Sequence, residues 1–304
     1  MIYTVTFSPA IDYVVDLKEL QIGAINRSQG EHALPGGKGI NVSIVLASFH
    51  TPSIATGFLG GFTGKFISDE LERMSIKSDF VSVEGLTRIN VKLRGKEETA
   101  INGQGPHISN ENIEELLVKL EKLNEKDLLV ISGTIPSSLP SNIYEKILER
   151  VNKNHPKVII DSNKDILLNT LKFNPLLVKP NQEELEEMFN VKINNNDELV
   201  LNARKLLDLG AQNVIVSLGK HGALLVNKEL ALLSGCPQGK VKNTVGAGDS
   251  LVAGFIDEYM KSGNIVMAFY KGIATGSASA FSEGLATDEE VNALLNKMDE
   301  WKGA

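Results

Sequence analysis

Apolar runs of four to six residues, rich in leucine and β-branched side chains, recur at IYTVTF (2–7), SIATGF (53–58), DLLVIS (127–132), KVIID (157–161), LLVK (176–179) and NVIVSL (213–218). Between them lie stretches with helical apolar spacing at 40–49, 63–74, 109–123, 140–153, 181–189 and 197–209. Runs that are apolar throughout mark strands buried on both faces, the condition of parallel strands joined by crossover helices. The pattern predicts an α/β fold, a mostly parallel central sheet with helices on both faces. In such sheets ligands collect beyond the carboxyl ends of the strands. Glycine-rich or polar turns follow strands directly at GFLGG (57–61), SG (132–133) and SLG (217–219).

Two regions break this rhythm. Residues 12–34 and 87–102 read as extended segments (DYVVDL, INRSQGEHAL, TRINVKL, ETAIN) with no long helix between them. A small β-sheet lid on the main body accounts for both. A sheet that small needs something to cover its apolar face, either the main domain or a second subunit, and a homodimer through the lid is the expectation. With no linker, internal repeat or low-complexity segment, residues 1–304 read as a single domain.

Composition narrows the function. The 304 residues are 42% hydrophobic and 23% charged, with a net charge of −7 and no basic run of useful length, so nucleic acid is not an expected partner. No stretch approaches the roughly 18 apolar residues of a membrane span, and the N-terminus lacks the basic start of a signal peptide. One cysteine, Cys236, excludes an intramolecular disulfide, and a cytoplasmic location is expected. An anionic substrate of so acidic a protein needs cations gathered in one cleft. Several common motifs are missing. GGFTGKF (60–66) has the wrong spacing for a Walker A loop, Ser8-Pro9-Ala10 stands where a dinucleotide fingerprint would follow the first strand, G-x-S-x-G is absent, and the five histidines are scattered.

Three clusters carry the candidate chemistry. TVGAGDS (244–250) opens a long apolar run; glycines there leave N–H groups approachable at a helix N-terminus, which suits an anion. Asp249 in that turn reads equally as a helix-stabilising carboxylate or as a general base beside a phosphate cradle. PGGKGIN (35–41) places three glycines in four residues before another helix, more than a turn requires. Lys38 supplies charge there and Asn41 an amide, while Asp12, after the first strand, suits paired sugar hydroxyls. In VKPNQEELEEM (178–188), Pro180 holds Lys179 extended, and Asn181 and Glu184 share one helix face. That pair reads as a polar helix start or as a holder of Mg²⁺-bound waters.

GGKGIN, KPNQEE and TVGAGDS, in this order and spacing, resemble the ribokinase-like (PfkB) family of sugar kinases, from about residue 1 to residue 298. TVTFSPAIDY, GGKGINV, TRINVKL and INGQGP are most similar to its bacterial 1-phosphofructokinases, with tagatose-6-phosphate kinases as neighbours. The resemblance implies ATP-dependent phosphoryl transfer with Mg²⁺, most simply fructose 1-phosphate to fructose 1,6-bisphosphate, so that the expected partner is a phosphorylated ketohexose. It implies Asp249 as the base and Gly246, Ala247 and Gly248 as the anion hole. Asp12, Gly37, Lys38 and Asn41 would contact the sugar, Arg27 and Arg88 from the lid would hold its phosphate, and Ser132 would assist. Ser217, Gly219, Gly222 and Thr244 would lie along the nucleotide, with Lys179 on the same side and Gly276 of ATGSASA (274–280) beneath the adenine. Asn181 and Glu184 would lie near the metal, Glu184 acting through water. The alternatives are a tagatose-6-phosphate kinase and a non-catalytic sugar-phosphate sensor; a sensor has no need to keep Asp249 beside the glycine-rich turn. Ser8 and Thr134 depart from the family's usual Asn and Ser, and both keep hydrogen-bonding capacity.

Overall fold

The computed structural model describes residues 1–303. Its main sheet runs, from one edge, through Ala231–Ser234, Ala223–Asn227, Asn213–Ser217, Leu177–Val178, Lys157–Asp161, Leu128–Ser132, Ile2–Thr6, Ser53–Gly60 and Lys77–Ser78. Val81–Val83 pairs with the far end of Ser53–Gly60. Pairing is parallel from Asn213–Ser217 onward and antiparallel at the first two strands. All six predicted strands are present. The antiparallel edge was not in the sequence pattern, because Ser217 is followed by a short glycine turn and not by a crossover helix. Without a crossover the next strand can only return alongside its predecessor.

Alternation along each strand explains the two-sided core. In Leu128–Ser132, Leu128 and Val130 face a cluster with the helices Lys38–Ser48, Ala247–Ser262, Ile265–Phe281 and Asp288–Leu295. Leu129 and Ile131 face the opposite cluster, built with Asn110–Leu120, Ile143–Val151, Lys164–Thr170, Gln182–Phe189 and Asn196–Asp208. A third, smaller cluster fixes the base of the lid, where Ile11 packs with Ile40, Ala55, Ile67 and Leu71.

The lid is a four-stranded sheet in the order Gly30–Gly36, Ala10–Asp16, Arg88–Arg94, Glu98–Asn102. Its strands extend the two predicted segments by about two residues at Ala10 and Gly36. Asp12 is in register with Asn90 and Leu34. Among the described residues no helix is long and apolar enough to cross a membrane.

Candidate active site

The carboxyl ends of adjacent strands set out a row of polar residues. Thr6 is the partner of Ser132, and Ser132 of Asp161, so all three side chains point to the same face, toward the helices Lys38–Ser48 and Ala247–Ser262. The Lys38–Ser48 helix starts directly over this row. Gly37, its N-cap, has φ 122°, and a Cβ there would lie 2.6 Å from the Thr6 methyl. Only glycine fits such a turn on both counts.

Gly246 plays the same part for the Ala247–Ser262 helix, with φ 80° and 2.6 Å to the Leu285 side chain for any Cβ. The N–H groups of Gly248 and Asp249 donate to no acceptor among the described residues. They stand at the positive end of a 16-residue helix, an arrangement that suits an anion. Asp249 does not cap this helix. It is buried, 5% exposed, and its carboxylate takes its hydrogen bond from Asn41 Nδ2 at 2.8 Å.

Asp161 organises the charge around this carboxylate. It is buried between two ammonium groups, Lys179 Nζ at 3.2 Å and Lys38 Nζ at 3.4 Å. Burial works against its ionised form, but Lys179 and Lys38 outweigh that and hold Asp161 below the usual carboxylate range. Burial and the neighbouring Asp161 charge push Asp249 the other way, up to about 7, against the bond from Asn41 and the two lysines. Two carboxylates so placed divide their roles, one kept ionised and one poised to take up a proton. Burial also disfavours the Lys38 ammonium, yet Asp161 and Asp249 hold it above its ordinary value. Lys179 reaches this turn as well, its Nζ 3.3 Å from where a Gly248 Cβ would stand.

A cavity of about 300 Å³ opens from this turn. Its lining includes Ala247 and Gly248 and all five of Ser217, Gly219, Gly222, Thr244 and Gly276. Leu251, Ile273, Val241 and Phe281 make its apolar walls, which suit a flat heteroaromatic ring. Cys236 also lines it, half-buried, with Sγ 3.1 Å from the Lys220 carbonyl.

On the lid side, the Asp12 carboxylate accepts from Asn90 Nδ2 and from Lys92 Nζ, both at 3.0 Å. Arg88 donates through Nη2 to the Ser8 carbonyl at 3.0 Å. Burial depresses its affinity for the proton, with Asp12 opposing. Among the described residues, four buried side-chain polar atoms lack any partner: Thr6 Oγ1, Ser132 Oγ, Arg88 Nε and Asn90 Oδ1. All four lie on the strand ends or the lid strand that bound this cleft.

The structure thus brings together Asp249, Gly246, Ala247, Gly248, Gly37, Lys38, Asn41, Ser132 and Lys179, with Asp12 and Arg88 on the facing lid. Asn41 and Lys38, read from the sequence as sugar contacts, are turned to Asp249 and Asp161. Asn181 and Glu184 form a capping box, Asn181 Oδ1 accepting from Glu184 N at 2.7 Å and Glu184 Oε2 from Asn181 N at 2.8 Å. Glu184 is also close enough to raise the proton affinity of Lys38. Among the described residues, no group of three or more His, Cys, Asp or Glu side chains could hold a metal. Arg27 is not brought to the cleft within one chain. It is exposed, three residues before Gly30, which pairs with Asp16, so it lies beyond the end of the strand farther from Asp12's neighbour Ala10. Sequence reasoning missed Asp161, Asn90 and Lys92. The position of Asp161 at the end of KVIID, where ligands collect in parallel sheets, was the available signal.

Residues 5–292 match the model of the pfkB family carbohydrate kinases. The 1-phosphofructokinase of Bacillus subtilis is 46% identical over 295 residues, covering 97% of each chain. The D-tagatose-1-phosphate kinase of Bacillus licheniformis is 38% identical, covering 98% of each. Phosphofructokinase-2 of Escherichia coli in complex with fructose-6-phosphate superposes with a TM-score of 0.92 at 26% identity, covering 98% of this chain and 99% of that one.

Proposed function

Because the chain belongs to the pfkB family of carbohydrate kinases, we propose that it transfers the γ-phosphoryl group of ATP to the C6 hydroxyl of a ketohexose 1-phosphate, fructose 1-phosphate first. One observation carries the reading: a buried carboxylate with its proton affinity raised to about 7 stands beside two free N–H groups at the mouth of an apolar-walled cavity. Asp249 takes the acceptor's proton as that oxygen attacks phosphorus. The N–H groups of Gly248 and Asp249 and the ammonium groups of Lys38 and Lys179 receive charge on the transferring group. Positioning and electrostatics do most of this work. Adenine and ribose fit the cavity lined by Gly276, Thr244 and Ser217. Glu184, with one carboxylate oxygen outside the capping box, and the Asn181 amide suit the hydration shell of a Mg²⁺ ion, which when bound neutralises phosphate charge. The reading treats the whole chain as one catalytic unit working in the cytoplasm, where ATP is supplied.

A coupled assay for ADP release tests the reading across fructose 1-phosphate, tagatose 1-phosphate, fructose 6-phosphate, tagatose 6-phosphate, ribose and adenosine. The highest kcat/KM is expected with the two ketohexose 1-phosphates, whose names the relatives carry. Turnover on none of the six rejects the kinase reading in favour of binding alone.

Arg88 is the proposed ligand of the substrate's phosphate, since its buried Nε has no partner. Arg88→Ala should raise KM for fructose 1-phosphate about tenfold to a hundredfold with kcat little changed, the loss expected for a charged hydrogen bond. An unchanged KM removes Arg88 from that site. We also propose self-association through the lid. Tyr13, Val91 and Ile101 are in register across three strands and share a face with Ile89, and Ile101 is 59% exposed. A dimer covering this face would be broken by Ile101→Lys, read by light scattering; a wild-type species of only 33.0 kDa at micromolar concentration contradicts it. In such a dimer Arg27 could serve only the partner's cleft.

A further inference from the structure

Asp12 presents a difficulty for a phosphosugar site. Arg88 and Asp12 point to the same face of adjacent lid strands, because Arg88 pairs with Ala10 and Asn90 with Asp12. Strand spacing and rise put their Cα atoms about 8 Å apart. The Asp12 charge is felt at the Arg88 guanidinium. A dianionic phosphate drawn to Arg88 therefore meets an unfavourable carboxylate a few ångströms away, unless that charge is offset.

The structure offsets it within the lid. Lys92 Nζ lies 3.0 Å from Asp12 Oδ2, with the two side chains 17% and 21% exposed. Asn90 Nδ2 binds the other oxygen at 3.0 Å, and Asn90 Oδ1 is left buried without a partner. Each Asp12 oxygen keeps a second lone pair for a sugar hydroxyl. We propose that Lys92 and Asn90 are specificity-determining residues: they convert Asp12 into a charge-compensated hydroxyl acceptor, and Lys92 is what lets this cleft prefer a phosphorylated ketohexose to the free sugar. Both act through Asp12 and so position and neutralise it. The inference rests on the phosphoketohexose reading above.

A strut that merely ties two lid strands together would weaken every ligand alike. Loss of charge compensation instead weakens only the anionic one. The test compares dissociation constants of fructose 1-phosphate and of fructose, measured by calorimetry without turnover, for the wild type and Lys92→Met. The ratio of the fructose constant to the fructose 1-phosphate constant should fall by about tenfold or more in Lys92→Met, and Lys92→Arg should restore it. Asp12→Asn combined with Lys92→Met should recover part of the preference lost in Lys92→Met alone, because the uncompensated charge is gone. That double variant also serves if Lys92→Met is poorly folded. A ratio unchanged within about threefold in Lys92→Met, or no recovery in the double variant, overturns the proposal. If the wild type turns over fructose 1-phosphate, an unchanged ratio in Lys92→Met sinks this inference alone; wild-type protein that does not turn it over sinks the kinase reading as well.

Discussion

Asp249→Asn is expected to lower kcat by about a thousandfold, while KM for both substrates stays within about threefold. The amide keeps the shape of the carboxylate and can still accept from Asn41, so the geometry of the turn survives. What is lost is the group that takes the acceptor's proton. In the wild type, kcat/KM should rise about tenfold per pH unit below pH 7 and level off above it, because the carboxyl ionises at about 7. In the variant that limb should disappear. A kcat within about threefold of the wild type rejects Asp249 as the base.

The same substitution carries a stability signature of opposite sign. The native pKa of Asp249 lies above its unfolded value of 3.8, so the folded protein binds a proton that the unfolded chain releases between about pH 4 and 7. The resulting stabilisation is fully present below pH 4 and is lost as pH rises through about 7. At pH 8 the wild type therefore carries a buried carboxylate at a cost of about 2–4 kcal/mol, which asparagine avoids. Asp249→Asn should melt at a higher temperature than the wild type at pH 8, with the gap closing toward pH 4. A lower Tm for the variant at pH 8 contradicts the burial argument.

Asp161→Asn is the second large effect. Removing the anion leaves the Lys179 ammonium, whose side chain is 8% exposed, without its ion-pair partner, whereas Lys38 at 43% can turn toward water. The expected cost is about 3 kcal/mol, mostly from Lys179. With both lysines free to drift from the anion site, kcat should fall about a hundredfold. The Asp161 charge is one of the two causes that raise Asp249, so the acid limb of the pH profile should move below 7. A limb that stays in place would show that Asp249 is raised by burial alone. A Tm unchanged from the wild type would show that Lys179 has another partner.

The long apolar runs, such as DLLVIS and KVIID, were legible as two-sided strands because their alternate residues fill opposite clusters. The edge hairpin Ala223–Ser234 was not, since ALLVN and ALLS look like any other apolar runs and their direction depends on what connects them. For TVGAGDS, local sequence left Asp249 between helix stabiliser and base. Its bond to Asn41, 208 positions away, and its burial are what the proposed role as base rests on. For KPNQEE, local reasoning named a polar helix start as one of two uses, and the structure shows that start as a capping box whose partners lie within three residues.

The sequence by itself determined what depends on neighbours in the chain: strand and helix periods, the turns that only glycine can make, the absence of a basic face, and the order of motifs that marks the family. Tertiary structure alone decided the chemistry of the centre. Lys38, Asp161, Lys179 and Asn41 meet around Asp249 because their strands and helices are adjacent in the sheet order, not in the chain. Coulomb interactions and burial depend on distance and on water exclusion, neither of which a local pattern encodes. That is why Asp161 passed unnoticed at the end of a predicted strand, and why the proton affinity of Asp249 could be assigned only once both carboxylates had a place.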